Sequence, residues 1–127
     1  DLSIIATGGI IEECLKASEE LEKKGIQSRV ISMHTVKPLD RMAILKAIEE
    51  TGNIICVEEH NRYGGLGSAV SEVLVESNLP FNYASISIND TYSAIVGSQE
   101  YLRRYYGLDK NSIMKKCLEL IGRNLDD

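Results

Sequence analysis

The sequence predicts an α/β domain of three layers, an open sheet of about five strands, mostly parallel with one antiparallel edge strand, and helices on both faces. Two observations carry this. Apolar runs of strand length alternate with amphipathic stretches of helical period, in the order β-α-β-α-β-α-β-α-α. The early runs are apolar almost throughout, as strands covered on both faces are, whereas half-exposed strands alternate. Residues 1–127 read as a single domain, long enough to bury its own core and free of repeats or low-complexity segments.

Residues 2–7 form the first buried strand, ending in Gly8-Gly9. From Ile10 the period changes: Ile10, Cys14, Ala17 and Leu21 recur at helical spacing, Glu and Lys fill the opposite face, and Gly25 ends the helix. A second strand spans 27–33. In "HTVKPLD" (34–40), Pro38 forces extended geometry on Lys37, and Asp40 is placed to cap a helix running from Arg41 to about Thr51, which Gly52 stops. Residues 53–59 are a third strand, apolar until its acids, and 66–77 a third helix. Residues 81–88 alternate more than the others, so an edge position or an antiparallel strand is expected there. A helix near 98–106 and a last one over 110–123 complete the chain.

The composition, 43% hydrophobic and 26% charged, is that of an ordinary globular domain. A net charge of −5, with basic residues scattered in short pairs such as Lys23-Lys24, argues against a nucleic-acid partner. No run approaches the roughly 18 apolar residues of a membrane span, and no signal peptide opens the chain. Cys14, Cys56 and Cys117 are far apart with no CxxC spacing, which fits small core residues in a reducing compartment and a cytoplasmic location. A start on Asp1 suggests an excised fragment or a processed chain.

The candidate chemistry is concentrated in "CVEEHNRYGGLGSAV" (56–70). Gly64-Gly65-Leu66-Gly67 lies between a strand and a helix, where a phosphate cradle would lie. The spacing is GGxG, however, without the third glycine of a dinucleotide fingerprint or the Lys of a P-loop. A turn of positive φ followed by close helix packing explains the same residues. Glu58, Glu59 and His60 form a possible acid–base or metal group, and His34 also falls just past a strand's carboxyl end, where open parallel sheets collect ligands. A metal needs about three protein ligands, which nothing nearby supplies at familiar spacing. No nucleophile sits in an elbow or triad spacing.

Over nearly its whole length the sequence resembles the C-terminal domain of the transketolase family of thiamine-diphosphate enzymes. The resemblance runs in order through "IIATG" (4–8), "CLKASEELEKKGI" (14–26), "RVISMHTVKPLD" (29–40), "ETGNIICVEEHNRYGGLGSAVSEVL" (50–74), Asp90-Thr91-Tyr92 and "YYGLDKNSI" (105–113). "MHTVKPLD", "EEH" and "YYGLD" are most similar to transketolase, particularly the smaller chain of split transketolases. "VGSQEYLRRYYGLDKNSI" (96–113) is also similar to the end of 1-deoxy-D-xylulose-5-phosphate synthase, so that branch stays open, with Val96-Gly97 standing where transketolases commonly carry Ser-Gly or Thr-Gly.

The resemblance implies that the parent enzyme uses thiamine diphosphate and Mg²⁺ to move two-carbon ketol units between sugar phosphates. The Gly-Asp-Gly…Asn motif and the Glu that hold this cofactor belong to other domains and do not occur here. This domain is therefore expected to bind no cofactor and to be inactive alone. Its implied role is structural, against the cofactor-binding domains or subunit of the same enzyme and in a homodimer. Glu59, His60, Arg62, Gly64, Gly65 and Gly67 are the expected interface residues, within an exposed, semi-apolar face near 60–67 and 88–97. The rival from another class is a free-standing nucleotide- or phosphate-binding module using Gly64–Gly67.

Overall fold

A strand covered on both faces reads as an unbroken apolar run, and β1 (Leu2–Ala6) is buried at every residue. The structure, a computed structural model, describes residues 1–7, 10–33, 40–58, 65–87 and 109–123. After β1 come helix α1 (Ile11–Lys23), β2 (Ser28–Ser32), α2 (Arg41–Thr51), β3 (Asn53–Glu58), α3 (Leu66–Glu76), β4 (Asn82–Ser87) and α4 (Lys110–Leu120). The expected helix near 98–106 and the 88–97 face lie outside the described residues.

Helix boundaries fall where local chemistry puts them. Gly25, at φ +79°, turns the chain out of α1, and the Ile26 amide reaches back 3.0 Å to the Leu21 carbonyl. The Asp40 carboxylate accepts the Ala43 amide at 3.1 Å and so caps α2, whose far end is closed by Gly52 at φ +70°. At α4, Asp109 accepts from the Ser112 hydroxyl at 2.6 Å and its amide at 3.4 Å.

The described strands pair in the order β2-β1-β3-β4, and all three pairings are parallel. This corrects the expectation for residues 81–88. β4 does lie at an edge of the described sheet, but it runs parallel to β3, with Ile55 opposite Ala84 and Cys56 opposite Ser85. Its alternation has a different origin. Tyr83 packs toward α2 and α3, Ala84 and Ile86 pack toward α1 and α4, and Ser85 remains exposed. Among the described residues there are four strands rather than about five, and none is antiparallel.

The path β1-α1-β2 moves one way across the sheet, and β2-α2-β3-α3-β4 moves back past β1 and onward. Right-handed crossovers therefore send α1 to one face and α2 and α3 to the other. Two cores result. Leu2, Ile4, Ala6, Ile55 and Val57 pack with Cys14, Ala17, Leu21, Ile113, Cys117 and Leu118, which places α4 beside α1. Ile5, Ile54 and Cys56 pack with Ile44, Ala47, Val70 and Leu74 on the opposite side. All three cysteines are free and buried. Among the described residues, no helix is long and apolar enough to cross a membrane.

Candidate functional site

Period-two alternation in β3 places Ile54, Cys56 and Glu58 on the α3 side of the sheet. Glu58 is the last residue of the strand and is only 7% exposed. It sits where α3 begins, and that helix has a weakness at its start. Its N-cap is Gly65, extended at φ −90° and ψ −166°, with no side chain to receive an amide. The neighbouring strand compensates, because Glu58 Oε2 accepts the Leu66 N–H at 2.7 Å. One of the four amide donors left over at a helix start is thereby satisfied.

The first turn of α3 is also held from β4. The Tyr83 hydroxyl donates to the Gly67 carbonyl at 3.1 Å, and Ser71 Oγ donates to the same oxygen at 2.8 Å. A Cβ on Gly67 would lie 3.4 Å from Tyr83 Oη and 3.7 Å from Glu58 Oε1. Between these groups is a cleft of about 160 Å³, lined by Cys56, Glu58, Gly67, Ser68, Ser71, Tyr83 and Ser85.

Gly65 and Gly67 thus both stand at this site, but neither has the positive φ expected of a turn glycine; among the described glycines that conformation belongs to Gly25, Gly52 and Gly122. At Gly67 the relevant property is the narrow space beside Tyr83 and Glu58. Glu59, His60, Arg62, Gly64 and His34 lie outside the described residues. Among the described residues no group of three or more His, Cys, Asp or Glu could hold a metal ion. Tyr83, Ser71 and Ser85 were absent from the sequence-based candidates. The signal for Tyr83 and Ser85 is the parallel register, which sets Ile54 opposite Tyr83 and Cys56 opposite Ser85, and no residue in isolation carries it.

The electrostatics of the cleft oppose nucleophilic chemistry. Burial pushes the Cys56 thiol up, and the nearby Glu58 carboxylate adds to the effect, so the thiolate does not form near neutrality. The Tyr83 phenol is also pushed up, chiefly by burial, with Cys56 and Glu58 adding and a hydrogen bond to Ser85 opposing.

The family described as transketolase, C-terminal domain, matches residues 1–113. Over 97% of its length the chain is 46% identical to one of the subunits of apulose-4-phosphate transketolase from Phocaeicola vulgatus, covering 38% of that protein. It is 38% identical to 1-deoxy-D-xylulose-5-phosphate synthase from Heliobacterium modesticaldum over 94% of the chain and 18% of that protein. Among solved structures, a split-gene transketolase described as an inactive beta4 tetramer superimposes with a TM-score of 0.84 at 32% identity, covering 98% of this chain and 40% of that one. The chain thus spans less than half the length of each of these relatives.

Proposed function

This chain belongs to the family of transketolase C-terminal domains, and we propose that it acts as the supporting domain of a longer, transketolase-type enzyme. In this reading the whole enzyme moves two-carbon ketol units between sugar phosphates. The observation that carries the proposal is the 46% identity, across almost the whole chain, to a subunit of apulose-4-phosphate transketolase. Thiamine diphosphate, with Mg²⁺, would supply the carbanion chemistry in the parent enzyme, and the protein would supply orientation.

In this reading the cofactor is held by other parts of the enzyme. No Gly-Asp-Gly run occurs in the sequence. At the start of α3, beside the cleft, the Glu58 carboxylate already takes the Leu66 amide. The domain's role is accordingly placement of other parts of the enzyme. Its partners are the cofactor-binding domains or subunit, and a second copy in a homodimer. Three free, buried thiols support a reducing, cytoplasmic setting. The GGxG spacing, without the third glycine of a dinucleotide fingerprint or the Lys of a P-loop, disfavours the rival reading of a free-standing phosphate-binding module.

A second branch has its own support in the 38% identity to 1-deoxy-D-xylulose-5-phosphate synthase. The transketolase branch is preferred on the higher identity. Calorimetric titration of the purified chain with thiamine diphosphate and Mg²⁺, then ATP, tests the supporting role, and no binding heat is expected. ATP binding that Gly65→Val abolishes would replace this reading with the phosphate module. Activity of the complete assembly separates the branches: transfer from a ketose phosphate to an aldose phosphate is expected, and formation of 1-deoxy-D-xylulose 5-phosphate would assign the other.

A further inference from the structure

We draw no further inference here: the strongest candidate, the small cleft between the first turn of α3 and β4 lined by Glu58, Ser71, Tyr83 and Ser85, belongs to the site already described, and nothing in the structure points to a ligand for it.

Discussion

The Glu58 carboxylate and the Leu66 amide, eight residues apart in the chain, meet at 2.7 Å where β3 ends and α3 begins. The contact joins strand to helix at a point where the N-cap residue, Gly65, has no side chain of its own to offer. Glu58→Ala leaves a buried amide without its acceptor and should cost about 1–3 kcal/mol. Glu58→Gln keeps an acceptor oxygen and should cost less. Urea unfolding of the two variants measures the difference. An alanine variant as stable as the parent would mean that the bond contributes nothing.

A second carboxylate plays a similar part at the other end of the chain. Glu13 Oε2, on α1, accepts the Lys110 amide at 2.9 Å, while Asp109 serves the neighbouring turn of α4. Because Asp109 remains, Glu13→Ala should cost only about 0.5–1.5 kcal/mol. Hydrogen exchange should report faster opening of α4's first turn, with α3 unaffected.

Gly67→Ala sets two effects against each other. Alanine gains up to about 1 kcal/mol of helix propensity over glycine. The new methyl meets Tyr83 Oη at 3.4 Å, which consumes much of that gain. The single substitution is therefore expected to be close to neutral. In the background of Tyr83→Phe, which removes the crowding hydroxyl, the same change should stabilise. Thermal unfolding of the four proteins of this cycle decides it, and an unchanged effect of Gly67→Ala in both backgrounds would show that the contact is not felt.

Gly52 closes α2 at φ +70° and leads directly into β3. A side chain there adopts the left-handed region at a cost of about 1–2 kcal/mol. Gly52→Ala should reduce the unfolding free energy by that amount in urea titration, whereas Gly67→Ala should not.

The thiols define a pH dependence. Burial pushes Cys14 and Cys117 from the ordinary 9.0 up to about 12, with Cys117 and Glu13 adding at Cys14. The folded state thus holds its protons after the unfolded chain has released them. Stability from this source is complete below the unfolded value of 9.0 and declines as pH rises from there toward about 12. Denaturant midpoints measured across that range should fall. At about pH 8 a thiol-specific disulfide reagent should label the folded protein slowly and all three cysteines on unfolding.

Local features were readable from single residues. Asp40 announces a helix start because a short carboxylate before an apolar period has one obvious use, and Gly25 and Gly52 announce helix ends because they tolerate positive φ. The almost wholly apolar run in β1 correctly implied cover on both faces. The direction of β4 was not readable. A strand thinly covered at a sheet edge alternates much as an antiparallel one does, and Tyr83, Ala84 and Ser85 fit either description. Likewise Glu58 was only a possible member of an acid–base group with Glu59 and His60, which lie outside the described residues. Its bond to Leu66 becomes visible only once β3 is known to end against α3. Tyr83's place beside Gly67 depends on residues sixteen apart being brought together by the packing of α3 against the sheet.

The position of α4 bears on how the chain is made. One of the two cores draws Ile113, Cys117 and Leu118 from α4, which packs beside α1 and is tied to it across 97 residues by Glu13 and Lys110. A chain emerging from the ribosome can form α1, β2 and β3 early, yet the part of this core that Ile113, Cys117 and Leu118 fill stays open until residues 110–120 follow. Closure of this core therefore waits on α4, and nascent chains stopped before it would expose the sticky apolar surface that chaperones bind.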